Sequence, residues 1–310
     1  MRIAIYGNFS VEYCSEVHHS KSLQALGHHV IELQETSISS DFALQTALTC
    51  DMFIWIHSHG FQNPGRPMSD VLQILKNRNI PTVAYHLDLY MGLERWQEYQ
   101  DHDYFKVQHF FTVDRLMADW LNENTDTKGY YIPAGVLHEE AYAMRLPKKY
   151  DVIFVGSRGY HHEWPYRPKL IDWLKATYGD RFHHFGNDGE GVVRGIDLNR
   201  LYGSTKVVVG DTLCPDFTYP YYMSDRVFET VGRGGFIIHP YIKGIEEFFK
   251  LDDELITYPY NDFDELVKLI DYFLTHNEHR QQILERGNYR VKNEHTYRDR
   301  WTRIIELLGL

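Results

Sequence analysis

The sequence predicts an α/β protein with two domains, each built around a parallel β-sheet. The chain has 310 residues, about twice the length of a common domain. Short apolar runs rich in β-branched and aromatic residues alternate with helical stretches, as in right-handed βαβ units. The alternation stops at the polar, lysine-bearing segment 143–150 and begins again at Asp151. Two successive open sheets explain this order, and one large barrel is the alternative that the length allows.

The first domain, residues 1–149, contains six predicted strands. "RIAIYG" (2–7) opens it, and the helix that follows ends near Gly27, a residue suited to the positive φ of a C′ position. The other five predicted strands are "VIEL" (30–33), "DMFIWIHS" (51–58), "PTVAYHLD" (81–88), "HFFTVD" (109–114) and "GYYIPAGV" (129–136).

The second domain, residues 150–310, follows a predicted hinge at 143–150 and repeats the pattern. Its predicted strands are "DVIFVGS" (151–157), "RFHHFG" (181–186), "KVVVGDT" (206–212), "GFIIHP" (235–240) and "ELITYP" (254–259). Two helices close the chain, and the last, at about 296–308, is a candidate to pack back on the first domain. Because ligands of open α/β sheets bind outside the carboxyl ends of the strands, residues at those ends are the functional candidates.

Composition and charge exclude several classes of protein. No apolar run approaches the roughly 18 residues of a membrane span, and "MRIAIYG" lacks the long apolar region of a signal peptide, so we expect a cytoplasmic protein. The net charge of −11 argues against broad electrostatic capture of nucleic acid, which is a less favoured partner. Cys14, Cys50 and Cys214 form no C-x-x-C pair, which predicts reduced thiols and neither a disulfide framework nor a zinc site.

A glycine-serine-arginine turn follows the first strand of the second domain. In "DVIFVGSRGYHHEWPYRPKL", Gly156 and Ser157 allow the backbone to approach a phosphate, and Arg158 can hold the phosphate bidentately. Arg167, in or before the next helix, is a further arginine of this segment. The pattern is neither a P-loop nor G-x-G-x-x-G, and an ordinary turn beside an arginine is the alternative.

Histidines and an aspartate lie at two strand ends of the first domain. "IHSHG" places His57 and His59 after the third strand, and "YHLDLY" places His86 and Asp88 after the fourth. Such groups can take a proton from an acceptor hydroxyl. The alternative is that the histidines bond to backbone groups and that Asp88 caps the segment after it.

The segment "SDRVFETVGRGGFIIHP" (224–240) contains a charged pair on a predicted helix and a glycine pair after it. Arg226 and Glu229 share one helix face, so they can form either an exposed i,i+3 ion pair or part of a ligand site. In a nucleotide site, Glu229 would accept the ribose hydroxyls and Arg226 would neutralise a phosphate. Gly234 and Gly235 allow a tight turn into the next strand.

The acidic run "NDFDE" (261–265) contains D-x-D, a pattern that can hold a divalent metal ion. Here it opens an amphipathic helix, where carboxylates cap free N–H groups and interact favourably with the helix dipole. We therefore predict a helix cap and no metal site.

The order of these features resembles that of the GT-B glycosyltransferases, and among them the spore-maturation CgeB-like group of family 1/4-type enzymes. The resemblance is strongest from about 150 to 305, through "DVIFVGS", "LYGSTKVVVGDT", "SDRVFETVGRGGFIIHP", "ELITYPYNDFDELVKLIDYFL" and "NEHTYRDRWTRIIELL". It implies two facing Rossmann-like domains, a nucleotide-sugar donor such as a UDP-sugar bound mainly by the second, an acceptor bound mainly by the first, no cofactor and no obligatory metal.

The resemblance also implies roles for individual residues. Glu229 matches the glutamate that accepts the ribose hydroxyls, and Ser157 with Arg158 matches the turn that faces the diphosphate. His86 resembles a histidine at the reaction centre of retaining members. Many retaining relatives carry a second glutamate eight residues before the ribose-binding one, and Tyr221 occupies that position here. This departure leaves the stereochemical course open. The turn at Gly234 and Gly235 matches a loop that lies beside the donor in members of the family.

The expected function is metal-independent transfer of a hexose-like sugar from a nucleoside diphosphate to a hydroxyl of a saccharide, a protein or a modified nucleobase. One alternative is transfer to a hydroxymethylated pyrimidine in DNA, as in some phage enzymes. The other is a catalytically silent nucleotide- or sugar-binding protein.

Overall fold

The chain divides into two compact units. The structure is a computed structural model that describes residues 1–56 and 64–310, so His57 and His59 lie outside the described residues. The first unit comprises Met1–Pro133 and Tyr297–Leu310, and the second comprises Ala134–Thr296.

The first unit contains a six-stranded parallel sheet in the order β2-β1-β3-β4-β5-β6. The interior of β1, from Ile3 to Tyr6, is fully buried, as expected for a parallel sheet covered on both faces. Its strands are β1 (Arg2–Gly7), β2 (His29–Gln34), β3 (Met52–Trp55), β4 (Thr82–His86), β5 (His109–Thr112) and β6 (Lys128–Tyr131). Its helices are α1 (Ser15–Ala25), α2 (Ser40–Ala47), α3 (Met68–Asn77), α4 (Glu94–Tyr99), α5 (Arg115–Asn124) and α11 (Tyr297–Leu308).

The second unit contains a five-stranded parallel sheet in the order β11-β10-β9-β7-β8. The prediction of two α/β units with parallel sheets is therefore confirmed. Its strands are β7 (Tyr150–Val155), β8 (Phe182–Phe185), β9 (Thr205–Val209), β10 (Ile237–Pro240) and β11 (Ile256–Tyr258). Its helices are α6 (Tyr166–Tyr178), α7 (Gly195–Gly203), α8 (Asp225–Gly232), α9 (Phe263–Thr275) and α10 (Asn277–Glu294).

The boundary between the units lies after Pro133, earlier in the chain than the predicted position at 149/150. Segment 134–149 is bonded to the second unit: the side-chain amide of Asn199 donates to the carbonyl oxygens of Glu140 and Tyr142, both at 2.9 Å. The backbone N–H of Lys149 donates to Ser204 at 2.7 Å. A polar composition therefore does not make this segment a free linker, because its backbone groups are paired.

Helix α11 belongs to the first unit because it packs on α1. The indole N–H of Trp301 donates to Nδ1 of His19 at 3.2 Å, and the His19 ring also packs on Tyr85 and Tyr297. Trp301 and His19 are both fully buried. Burial, with a smaller contribution from His18, lowers the pKa of His19 to about 3.

Two local predictions are confirmed, a C′ glycine at Gly27 and a helix cap at Asp262. Gly27 follows α1 with a φ of 85°, as a C′ glycine does. Asp262 caps α9 by accepting the backbone N–H of Glu265 at 2.9 Å. The three cysteines are free thiols, with Cys50 and Cys214 buried. Among the described residues, no helix is long and apolar enough to cross a bilayer.

The buried His19 predicts an acid-labile contact in the first unit. An unfolded histidine titrates near pH 6.5. Between this pH and about 3 the unfolded chain binds a proton that folded His19 does not, so the free energy of unfolding falls as the pH falls. We expect His19 to account for a loss of about 2 kcal/mol between pH 7 and pH 5.

Urea unfolding of the wild type and of His19→Gln at several pH values measures this contribution. The variant keeps an acceptor for Trp301 and should show a shallower pH dependence. His29→Gln, at an exposed histidine, is the control and should follow the wild type. Equal slopes for all three proteins would contradict the prediction.

Candidate functional site

The topology of the second sheet points to one place for a ligand. From β7 the chain proceeds to β8 on one side, and β9 then lies on the other side of β7. At such a switch point the loops after the two strands diverge and leave a crevice outside their carboxyl ends. Gly156 and Ser157 follow β7 at this edge, and Asp211 and Thr212 follow β9.

Close backbone approach forms the turn after β7. Gly156 has a φ of 138°, which favours glycine, and its N–H donates to Phe185 at 2.7 Å. A Cβ on Gly186, after β8, would lie 2.3 Å from the carbonyl oxygen of Gly156. The half-buried Ser157 has no hydrogen-bond partner for its backbone N–H or its hydroxyl among the described residues, so both are available as donors.

The guanidinium of Arg226 lies directly against this turn. A Cβ on Gly156 would be 2.7 Å from both Nη1 and Nη2 of Arg226. Arg226 donates to the carbonyl oxygen of Val155, and its guanidinium lies 5.1 Å from the ring centroid of Phe154. Its Nε is buried and has no partner among the described residues. Arg226 therefore reaches the carboxyl edge of β7 from the first turn of α8.

A second arginine, Arg167 of α6, lies beside the same turn. Its Nη1 donates to the carbonyl oxygen of Ser157 at 3.3 Å, and its Nε donates to Asp211 at 3.1 Å. Asp211 is fully buried and also accepts the indole N–H of Trp164 at 3.2 Å and the hydroxyl of Tyr260 at 3.0 Å. Three donors thus satisfy this carboxylate, as burial of a charge requires.

The charges at this edge do not balance. Among the described residues, Asp211 pairs with Arg167, whereas Arg226 has no carboxylate within salt-bridge distance. Burial, and then the like charge of Arg167, lower the pKa of Arg226. A guanidinium nevertheless remains protonated at neutral pH. The edge therefore carries a positive charge that an anion would neutralise.

The structure brings Arg167, rather than the predicted Arg158, to the turn. Arg158 forms a bidentate pair with Asp172 of α6 at 2.5 and 2.6 Å, and both side chains are exposed. This pairing raises the pKa of Arg158 and lowers that of Asp172. An exposed arginine that already holds a carboxylate is less available to a ligand than Arg226.

Glu229 pairs with Arg233 and not with Arg226. Arg233 is buried. Its Nη2 lies 3.5 Å from Oε1 of Glu229 and also donates to the carboxylate of Glu140. Its Nη1 donates to Asn199 at 2.8 Å. The side chain of Glu229 is 24% exposed, so its carboxylate is oriented by a buried cation while part of it stays open.

Gly234 and Gly235 end α8 at the other edge of the sheet. Gly235 donates to Thr230 at 2.8 Å and Gly234 donates to Val231 at 3.0 Å, the two bonds of a Schellman motif. The turn leads into the amino end of β10. A Cβ on Gly234 would lie 2.4 Å from Cβ of Ala143. These glycines thus serve helix termination and close packing, and the structure does not bring them to the Gly156 turn.

In the first unit, His86 and Asp88 have different surroundings. His86 ends β4 and is 5% exposed, with its ring 4.7 Å from Tyr90, 5.6 Å from Tyr104 and 5.7 Å from Phe110. This is the environment of a core residue. Asp88, two residues later at the carboxyl end of the strand, is half-buried. Of the two predicted acid-base residues, Asp88 is the more accessible.

The two units, each built on a parallel sheet, have the GT-B fold, the architecture of a large class of glycosyltransferases, since solved structures of that fold match the whole chain. An alpha-glucosyltransferase in complex with UDP-glucose and DNA superposes with a TM-score of 0.70 at 12% identity, covering 100% of both chains. Anabaena Alr3699/HepE in complex with UDP and glucose gives 0.67 at 11% identity, covering 100% of this chain and 99% of that one.

A glycosyltransferase from Rickettsia africae gives a TM-score of 0.61 at 14% identity, covering 99% of this chain and 98% of that one. A family model described as "Glycosyl transferase-like" matches residues 161–306. No curated protein matches the chain in sequence. The fold is thus shown over the full length, and the family match falls mainly on the second unit.

The contact between Gly156 and Arg226 predicts a specific cost for adding one methyl group. Gly156→Ala would place an L side chain at positive φ and displace the guanidinium. Gly191 also has a positive φ, of 102°, but its added Cβ would meet no atom within 4 Å, so Gly191→Ala isolates the backbone strain.

We expect Gly191→Ala to lower the free energy of unfolding by about 1 to 2 kcal/mol, and Gly156→Ala to lower it by roughly 1 kcal/mol or more beyond that. Chemical denaturation of both variants measures the difference. If Gly156→Ala lowers the free energy of unfolding by the same amount as Gly191→Ala, displacement of the Arg226 guanidinium costs no free energy and the prediction is wrong.

Proposed function

We propose that the protein is a glycosyltransferase that moves a sugar from a nucleoside-diphosphate sugar to a hydroxyl acceptor without a metal ion or cofactor. The observation that carries the proposal is the arginine edge at the switch point of the second sheet. There Arg226, without a carboxylate partner among the described residues, adjoins a glycine turn whose Ser157 offers two free donors. This is the chemistry that a diphosphate requires.

The donor is a UDP-sugar, and the transferred group is a hexose. Support comes from matching structures that were solved with UDP-glucose, or with UDP and glucose. The family model covers residues 161–306, the part of the chain that carries α6, β9 and α8. In our proposal the protein belongs to the CgeB-like group of these enzymes, and the support is the resemblance of its collinear segments between 150 and 305.

In the reaction, an oxygen of the acceptor forms a bond to the anomeric carbon of the sugar while the bond from that carbon to the diphosphate oxygen breaks. The diphosphate leaves with the bonding electrons. Arg226, Arg167 and the Ser157 N–H stabilise this developing charge, in a site where the donors are already in position. The N-terminal N–H groups of α8 add to this field.

The ribose is held by Glu229. Arg233 orients this carboxylate from the buried side, and the open part can accept two hydroxyl hydrogen bonds. Asp88 accepts the proton of the acceptor hydroxyl as the reaction proceeds, because it is more accessible than His86. His57 and His59 are the acceptor-side candidates that follow β3 in the sequence.

A second candidate acceptor is a modified base in DNA. It is favoured by the alpha-glucosyltransferase structure solved with DNA, at a TM-score of 0.70. The net charge of −11 counts against it, since phosphate contacts need a basic surface. A saccharide or protein hydroxyl is therefore the first acceptor class to assay.

Titration with UDP tests the donor site. Arg226→Gln should weaken UDP binding at least about tenfold, because a charge-assisted hydrogen bond contributes about 1.5 to 3 kcal/mol. Arg158→Gln removes the same charge from an arginine held by Asp172 and should change the affinity less than about twofold. Calorimetry measures both affinities. Metal independence is tested separately with the wild type, whose release of sugar from UDP-glucose should persist in EDTA.

No UDP binding by the wild type would reject the donor proposal. A larger loss in Arg158→Gln than in Arg226→Gln would move the phosphate site to the exposed pair. Loss of activity in EDTA that manganese restores would reject metal independence.

Asp88→Asn tests the acid-base assignment. Loss of a general base costs on the order of a hundredfold in rate, so turnover should fall while UDP affinity stays near that of the wild type. His86→Phe keeps an aromatic ring in the cluster around Tyr90 and should retain more turnover than Asp88→Asn. Single-turnover kinetics with a verified acceptor measure both, and full activity of Asp88→Asn would place the base elsewhere.

A further inference from the structure

A cavity lies in the first unit, at the amino ends of β4, β5 and β6. Its volume is about 680 Å³. The first residues of these strands, Thr82, His109 and Lys128, all contribute to its wall. Asp88 follows the opposite, carboxyl end of β4. The cavity, called here the amino-edge groove, is therefore separate from the catalytic residues proposed above.

A fixed amide projects into the groove. Oε1 of Gln108 accepts the backbone N–H of Thr82 at 3.0 Å, which determines the orientation of the amide. The backbone N–H of Gln108 donates to the Thr82 hydroxyl at 2.9 Å in return. The side-chain NH₂ of Gln108 has no partner in residues 1–56 and 64–310. It is a positioned pair of donors on the groove wall.

An indole forms another part of the wall. Trp120 of α5 is half-buried, and its ring meets that of Trp96 at 5.0 Å and 90°. The indole N–H of Trp120 has no partner within the described part of the chain. Trp120 thus contributes an apolar surface with a free donor at its edge, the combination found where one side of a ligand is apolar and the other polar.

The charges of the groove cancel. Lys76 and Lys128 face the groove without ion-pair partners among the described residues, and so do Asp101 and Asp126. Burial, and then the nearby charge of Lys128, lower the pKa of His109, which keeps its ring neutral at neutral pH.

The remaining cation of the wall, Lys106, is already neutralised, since it donates to Asp103 at 2.9 Å. The groove therefore has no excess charge with which to attract a strongly ionic ligand.

We propose that the amino-edge groove binds a neutral saccharide. Sugar hydroxyls both donate and accept, so they match the NH₂ of Gln108 and the carboxylates of Asp101 and Asp126. The C–H face of a pyranose ring matches the indole of Trp120. A lipid or apolar peptide would leave these polar groups unpaired at a cost in free energy. Saccharide binding in this groove is a function additional to the proposed one and does not depend on transferase activity.

Calorimetric titration of the full chain with maltotriose, cellotriose and chitotriose tests the proposal. At least one should bind, with unchanged affinity in saturating UDP. Trp120→Ala should weaken binding at least about tenfold and Trp120→Phe should restore part of it, because stacking on an aromatic ring is the contact removed. Trp173→Ala, at a half-buried tryptophan of the second unit stacked on Phe263, is the control and should leave binding unchanged.

Gln108→Glu provides a test that does not disturb packing. The variant keeps the oxygen that accepts from Thr82 and removes the two donors, so binding should weaken severalfold. Gln45→Glu makes the same change on an exposed face of α2 and should have no effect. The proposal is overturned if no trisaccharide binds at concentrations that reveal a millimolar Kd, if UDP competes, or if Gln108→Glu binds as the wild type does.

Discussion

The carboxylate of Asp211 is the interaction on which the carboxyl edge of the second sheet depends. Asp211 lies two residues beyond β9 with no exposed surface, and its carboxylate accepts from Trp164, Arg167 and Tyr260. Burial and the charge of Asp211 raise the pKa of Tyr260 well above its usual value, so the phenol stays a donor. An unpaired charge at this depth would cost several kcal/mol, so these three donors must stay in place. The positions of these three side chains in turn determine the surface beside the Gly156 turn.

The sequence contained enough information for the strands, because each is a short apolar run between turn signals. The roles of Gly27 and Asp262 were also predictable, since helix termination and helix capping are local events that neighbouring residues determine. The attachment of segment 134–149 to the second unit was not predictable from the sequence. Its polar composition is typical of a linker, and only the tertiary bonds of Asn199 to Glu140 and Tyr142 attach it to the second unit.

The candidate site was predictable in its place and less so in its residues. Strand-end and helix signals in the sequence predict the turn at Gly156 and the helix of Arg226. They do not predict which arginines lie at the turn or which arginine pairs with Glu229. Spacing along α8 allows Glu229 to pair with Arg226 or with Arg233, and only burial of Arg233 near Glu140 selects the second. Asp211 and Gly186 had a detectable signal, since each lies within two residues of the end of a strand. Their roles depend on contacts with distant parts of the chain.

The edge at Gly156 would also allow an acidic chain to hold the proposed anionic donor. A net charge of −11 repels anions at long range, but salt screens that field beyond roughly 8 to 10 Å. Arg167 is buried and Arg226 is packed against Phe154 and Gly156, so their charges act over short distances in a medium of lower dielectric constant than water. Binding of the proposed diphosphate would then depend on two positioned guanidiniums and not on overall charge. Its affinity should consequently fall less steeply with salt than capture of a polyanion by surface lysines, which proceeds by release of counterions.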